Sequence, residues 1–430
     1  MKFNEVKLKY IAHLNPSKSE IDLGENKEQV VSFLPMDKII GPNNLDLSLN
    51  KTIGEVYSGY TYFRENDIVL AKVTPCFENG NLAIARGLTN EIGFGTTELH
   101  VLRVNEKFYD KEYIYYCLQS EDFISEAVAN MYGVGGLKRI PTEFLSEYKF
   151  LVPDLDTQIR IRKYLNLKLN EISNLIGNKT KLIKLLDQQR QSIITEAVTK
   201  GLNPNVKMKD SGVEWVGEIP EHWTVNKIKR IVEILTCGYA STPTYVAESE
   251  GVPFLSAQNV SKSGKLKLEK YNYISRELHD SLTKYKKPRR GDILQVRVGA
   301  GIGQTCIVDV DFDFSIYVSL SHIRVKKFIH NKFLTYILGS QKFNEYANMQ
   351  TLQAGGVGNL NVSDLEKSKI PYPSLEEQIE IANYLDEKCS SIDCLVGNIN
   401  NQIEKLKEYR QSLIYEAVTG KIDVRDMELD

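Results

Sequence analysis

The stretch Gln158–Thr199, QIRIRKYLNLKLNEISNLIGNKTKLIKLLDQQRQSIITEAVT, returns 220 residues later as Gln378–Thr419, QIEIANYLDEKCSSIDCLVGNINNQIEKLKEYRQSLIYEAVT, without a gap. Twenty of the 42 positions are identical. In the second copy Leu385, Ile392, Ile399, Leu406 and Leu413 recur every seven residues. Cys389, Val396, Ile403 and Ala417 form a second row four residues on, broken at Arg410. The first copy repeats both rows with Leu165, Ile172, Leu186 and Ile193, and with Leu169, Ile176, Ile183 and Ala197. Lys179 and Arg190 interrupt them. Heptads kept up over this length predict two long helices that pair as a coiled coil. From Asp156 to Thr199 such a helix reaches about 66 Å. Pro153 and Pro373 stand just ahead, where proline is tolerated.

The register extends outward in islands. Lys7-Leu8-Lys9 and Ile11 meet Lys227-Ile228-Lys229 and Ile231, and Gly135-Gly136 meets Gly355-Gly356. RENDIVLAKV (64–73) resembles RRGDILQVRV (289–298) only after a five-residue change of shift. A period this long lies far beyond solenoid repeats, so the chain is a duplicated domain pair. The expected class is α+β: two strand-rich domains joined by two long helices paired antiparallel, pseudo-two-fold, with the globular halves at opposite ends of a helical rod. The domains read as 1–152 and 205–372, the helical regions as 153–204 and 373–422, with a tail at 423–430.

Charge divides the same way. Residues 1–150 carry 16 basic and 21 acidic side chains, residues 151–204 carry 9 and 5, residues 205–371 carry 23 and 17, and residues 372–430 carry 6 and 13. The helical regions therefore differ in sign, which favours pairing with each other over self-pairing between chains. A hydrophobic share of 42% and a charged share of 26% describe an ordinary globular protein. No membrane span or secretory leader is expected, and the six scattered cysteines lack zinc spacing, which points to reduced thiols and a cytoplasmic setting. Cys389 and Cys394 read as packing residues.

Within each domain, Asp67–Leu70 and Asp292–Gln295 read as strands entered from a turn, and His100–Val104 and His322–Val325 as later strands. Tyr113–Ala129 and Phe333–Ala347 read as amphipathic helices, followed by glycine turns at Tyr132–Lys138 and Gln353–Asn359. Candidate DNA contacts are Lys72, Thr74, Lys138 and Arg139 in the first domain. In the second they are Lys284, Lys286, Lys287, Arg289 and Arg290, a cationic run around Tyr285, and Arg297, the counterpart of Lys72. Cations beside a strand entry suit phosphate contacts, and a glycine turn lets backbone approach a phosphate closely. The helices match at nearly half their positions while the domains match only in islands. The helices therefore meet the same partner or each other, and the domains read different targets.

The duplicated Pro-x-Leu-x-x-Gln-Ile entries (153–159 and 373–379), the endings Arg-Gln-Ser…Glu-Ala-Val-Thr at 190–199 and 410–419, and MKDSGVEWVGEIPEHW at 208–223 together resemble the specificity (S) subunit of Type I restriction–modification systems (the HsdS family) over essentially the whole chain. The first domain departs from many relatives by lacking the third motif. The resemblance implies two target recognition domains, each reading one half of a bipartite double-stranded DNA site through the major groove. The helices act as a ruler and dock two modification (M) methyltransferase subunits, and restriction (R) subunits complete the nuclease. It implies no cofactor on this chain; SAM, ATP and Mg belong to the partners, and so does catalysis. For helix pairing and docking it points to the heptad residues Leu165, Ile172, Ile176, Ile183, Leu186, Ile193, Leu385, Ile392, Val396, Ile399, Ile403, Leu406 and Leu413.

Two other classes compete. A methyltransferase fused to its own recognition domain would draw on Gly299-Ala300-Gly301-Ile302-Gly303, but a cofactor loop should open a helix, and strand-like Gln304–Val308 follows. The chain has no Asn/Asp-Pro-Pro loop and no GxxxxGK[ST] motif. The other class is a scaffold whose two domains hold protein ligands.

Overall fold

The computed structural model describes residues 2–134, 136–299, 301–353, 359–424 and 427. Two long helices dominate, α1 (Leu155–Lys200) and α2 (Leu375–Val418). The chain divides into two units, Met1–Thr180 with Asn400–Asp430, and Lys181–Ile399. Each unit therefore takes a piece of both helices.

In the first unit Leu165, Leu169 and Ile172 share one apolar core with Leu413, Ile414, Ala417 and Val418. Lys179 Nζ donates to Gln402 Oε1 at 2.6 Å. In the second unit Ile194, Ala197 and Val198 share a core with Ile381 and Leu385, and Arg190 pairs with Asp393. In both, the start of one helix lies along the end of the other, so the pairing is antiparallel. Every heptad residue named above is buried or half-buried. Arg190, which breaks its apolar row, is accommodated by its carboxylate partner.

The domain folds repeat as well. In the first unit Ala12–Leu14, Leu99–Val104, Ile68–Ala71 and Leu82–Ile84 form one antiparallel sheet in that order. In the second, Val232–Cys237, Leu320–Val325, Ile293–Val296 and Thr305–Ile307 do the same. A hairpin-like pair closes each domain: Asn4–Lys7 on Lys149–Val152, and Thr224–Lys227 on Lys369–Tyr372. A second sheet in each unit holds one parallel pair, Val30–Leu34 on Ile92–Gly95 and Gly251–Leu255 on Ser315–Ile316.

That second sheet has four strands in the first unit and three in the second. The missing one has a local cause. Thr61–Arg64 is an edge strand, antiparallel to Ile92–Gly95. By the RENDIVLAKV/RRGDILQVRV match, its counterpart is Lys286–Arg289, where Pro288 stands in place of Phe63. Proline has no N–H to give to a ladder. The segment leaves the sheet and becomes a loop.

Two buried ties hold each unit, and both are duplicated. Asp67 accepts two bonds from Arg103, Nε to Oδ1 and Nη2 to Oδ2, each 2.8 Å, and also the Arg64 N–H at 2.8 Å. Asp292 does the same with Arg324 at 2.8 and 2.7 Å and with the Arg289 N–H at 3.0 Å, and adds His322 Nε2 at 2.7 Å. Burial pushes the Asp292 carboxyl up, but His322 and Arg324 outweigh it and hold the group at about 2, below the ordinary 3.8. The second tie is the glutamine of the Pro-x-Leu-x-x-Gln entry. Buried Gln158 accepts the Asp110 N–H at 2.8 Å and donates to the Pro153 carbonyl at 2.9 Å. Gln378 repeats this with the His330 N–H at 2.8 Å and the Pro373 carbonyl at 3.0 Å. Asp110 and His330 are the N-caps of Lys111–Cys117 and Asn331–Gly339, so one amide joins each long helix to a domain helix.

Three expectations change. Tyr113–Ala129 and Phe333–Ala347 are each two helices, Lys111–Cys117 with Glu121–Ala129 and Asn331–Gly339 with Gln341–Gln353. Ser120 and Ser340 turn their hydroxyls back to the Cys117 and Ile337 carbonyls, at 2.8 and 2.7 Å, and end the first helix of each pair. Cys394 is exposed rather than packed, whereas Cys389 is half-buried. Among the described residues no helix is long and apolar enough to cross a membrane, and no acid, His and Cys cluster could hold a metal.

Both tryptophans, Trp215 and Trp223, are buried in the second unit's core, so intrinsic fluorescence reports on that unit. Asp292→Asn leaves Arg324 without its buried charge partner and should lower that unit's unfolding free energy by about 3–5 kcal/mol in urea titrations. Because the folded carboxyl sits below its unfolded value, its contribution is present above about pH 4 and lost as pH falls toward about 2. The variant's fluorescence should therefore change less steeply across that window than the parent's.

Candidate nucleic-acid interface

In the first unit the four candidate residues come together. Tyr132–Val134 and Leu137–Arg139 form a two-stranded antiparallel ribbon. Thr74 latches it at two points. Its Oγ1 donates to the Gly136 carbonyl at 2.7 Å and accepts the Lys138 N–H at 2.9 Å, and its own N–H bonds the Lys138 carbonyl at 3.0 Å. The Ile140 N–H bonds the Lys72 carbonyl at 2.9 Å, so the ribbon grows directly from the end of strand Ile68–Ala71. Lys138 is exposed and Lys72 half-buried. Arg139 makes a bidentate pair with Glu98, 2.8 Å at each contact, and holds that carboxyl below its ordinary range. The sequence suggests a backbone approach to phosphate at this turn. What it presents outward is apolar: Tyr132, Val134 and Leu137 are 65%, 90% and 54% exposed.

In the second unit the cations lie on the loop that Pro288 frees from the sheet. Lys287 pairs with Asp313 at 2.6 Å and Arg290 with Asp311 at 2.7 Å, and each acid is held below its ordinary range by its cation. Among the described residues no carboxylate lies within ion-pair distance of Lys284, Lys286 or Arg289, all exposed. Lys284 sits 5.3 Å above the ring of Tyr285, itself 82% exposed. The loop thus offers three unneutralised charges and an aromatic face.

Arg297 does not belong with them. It is 7% exposed, and its guanidinium donates to the Leu360 and Val318 carbonyls at 3.0 and 3.3 Å. A buried arginine satisfied by main-chain acceptors is a structural cross-brace, so the expected DNA contact there is withdrawn. Its partners come from segments 21 and 63 residues away, and nothing in the local sequence signals them.

The glycines at 299–303 lie between Ile293–Val296 and Thr305–Ile307, which pair antiparallel. The segment is a hairpin connection, without the helix that a cofactor loop would open. Of the turn expected at Gln353–Asn359, residues 354–358 lie outside the described residues. Sequence reading assigned no function to MKDSGVEWVGEIPEHW beyond its family mark. Here Met208–Asp210 and Glu218–Pro220 form a hairpin. Trp223 Nε1 and His222 Nε2 both reach Glu377 in the first turn of α2, at 3.0 and 2.8 Å.

Residues 220–405 match the family model described as the Type I restriction modification DNA specificity domain. The chain is 36% identical over 194 residues to the Type I restriction enzyme EcoEI specificity subunit of Escherichia coli, covering 44% of this chain and 29% of that protein. It is 27% identical over 334 residues to the MjaVIII specificity subunit of Methanocaldococcus jannaschii, covering 76% and 73%. The match thus spans less than a third of the Escherichia coli relative and nearly three quarters of the archaeal one. Two solved structures share the fold. A chain from a study of complex assembly and conformational transition of the type I R-M system superposes with a TM-score of 0.74 at 19% identity, covering 98% of each chain. The HsdS subunit of Thermoanaerobacter tengcongensis gives 0.53 at 18% identity, covering 98% and 97%. The duplicated domains, the paired helices and the matching motifs thus make the chain similar to Type I restriction–modification specificity subunits, with the family's DNA specificity domain matched over residues 220–405.

Proposed function

We propose that this chain is the DNA-recognition subunit of a Type I restriction–modification complex and does no chemistry itself. Each unit reads one half of an asymmetric, two-part site in double-stranded DNA. The paired helices set the gap, and two modification subunits dock on the duplicated helical regions. Restriction subunits, and the SAM, ATP and Mg that the reactions need, belong to the partners. The observation that carries this reading is a single scaffold built twice with unlike surfaces: an apolar ribbon in one unit and a cationic loop in the other. One scaffold with two surfaces suits two different half-sites held at a fixed distance.

The test is genome-wide methylation mapping in cells expressing this chain with a modification subunit, against cells lacking this chain. A bipartite adenine motif appearing only with both proteins is the expected result. Methylation by this chain alone, or none with a partner proven active, would refute it.

Phosphate contacts are measured by the salt dependence of binding, which falls by about 0.9 per contact removed. Replacing Lys284, Lys286 and Arg289 with alanine should weaken binding across all sequences and flatten the slope by about 2 to 3. Lys287→Ala and Arg290→Ala, already neutralised by Asp313 and Asp311, should change it less. Arg297→Met should leave the slope alone and instead cost about 1–3 kcal/mol of second-unit stability, because it orphans the buried Leu360 carbonyl and the part-buried Val318 carbonyl. A slope change from Arg297→Met equal to that of the loop cations would contradict the cross-brace assignment.

A further inference from the structure

The first unit is acidic, 16 basic against 21 acidic side chains over residues 1–150, so its net charge does not favour phosphate. Its most prominent exposed feature is the apolar ribbon. Side chains alternate across a strand, so Tyr132 and Val134 share a face, and their cross-strand partners Arg139 and Leu137 lie on it too. Lys138, opposite Gly133, points to the other face. The ribbon's shape is enforced. Gly133 has φ +146°, and a Cβ there would meet the Leu137 carbonyl oxygen at 2.2 Å, so only glycine lets the strands approach this closely. Thr74 then fixes the ribbon's second strand and the turn before it through its two hydroxyl bonds, to Lys138 and Gly136.

Val134, 90% exposed near the ribbon's tip, forms with Tyr132 and Leu137 a contiguous apolar face that a ligand could cover. Three side chains on two short strands present far less than the roughly 800 Å² per partner of a standard protein interface. A two-stranded ribbon does fit the major groove of B-DNA, about 12 Å wide, where the thymine C5-methyl is the one apolar group on a base edge. Lys138 on the opposite face is exposed and placed for the groove wall.

We propose that this ribbon is the base-reading element of the first unit, entering the major groove and laying Val134 and Leu137 against thymine methyls of its half-site. The inference rests on the DNA-recognition reading above, and its failure can be told apart from the failure of that reading. The probe is the bipartite duplex found by methylation mapping, with all thymines of one half-site, then of the other, replaced by deoxyuridine, which removes only the methyl. Binding is measured with the full chain and its modification subunits. The expected result is a several-fold loss of affinity for one substituted half-site. The Val134→Ala, Leu137→Ala variant, which alters only exposed side chains, should bind thymine and uracil versions of that half-site equally.

No loss on substituting either half-site, or a loss that the variant retains in full, overturns the proposal. So does a variant that no longer binds modification subunits without DNA, since the face would then be a protein contact. Absence of any bipartite motif with the parent chain would defeat the recognition reading itself. Thr74→Val is the second variant. It keeps the apolar face but loosens the latch, so it should speed amide exchange at Lys138 and reduce thymine-over-uracil preference without abolishing it.

Discussion

Neither long helix can bury its apolar rows alone, and everything else in the chain is arranged around that constraint. Leu165, Leu169 and Ile172 are covered by Leu413, Ala417 and Val418, and Ile194, Ala197 and Val198 by Ile381 and Leu385. Each core therefore draws on residues more than 180 positions apart. A small residue stands in each core at the helix end, Ala417 in the first and Ala197 in the second, and the Tyr113 hydroxyl bonds the Val418 carbonyl at 3.1 Å. The helix-end motif Glu-Ala-Val-Thr is thus a packing motif first. Its recurrence at two places follows from needing the same junction twice.

The glutamine entry carries the constraint into the domains. Burying an amide costs free energy unless all its groups are bonded. Gln158 and Gln378 meet that demand by satisfying the N-terminus of a domain helix and a proline carbonyl at the head of the long helix. A domain so joined keeps a defined aim with respect to the helix segment it packs on. Under the proposed reading, that is what a recognition surface needs if its partner is rigid.

Sequence showed the parts whose signals are local or periodic. The heptads placed both helices, and the strand entries at Asp67 and Asp292 were visible in a ten-residue match. What the aspartates bond was not visible, because Arg103 and Arg324 lie 36 and 32 residues away on a neighbouring strand. The same distance hid the burial of Arg297. A cation beside a strand looks alike whether it faces solvent or two carbonyls, and only the sheet order separates the cases. The apolar ribbon was missed for another reason. Its glycines drew the reading toward backbone and away from Val134 and Leu137, which are ordinary residues until a fixed hairpin leaves them exposed.

Pro288 shows how one residue can give two copies of a fold different surfaces. Where Phe63 extends the first unit's sheet and fills its core, Pro288 withholds an N–H and releases the chain. The first unit gains an edge strand, and the arginines beside it stay engaged: Arg64 lies 3.5 Å from Glu20, and Arg103 bridges Glu20 and Asp67. The second unit gains a loop that carries Lys284, Lys286 and Arg289 without acid partners among the described residues. Charge in the two halves therefore follows from topology as well as from composition. Under the proposed reading, the second unit supplies salt-sensitive affinity and the first supplies contacts that salt leaves largely intact. A bipartite site read this way is held by one half and checked by the other.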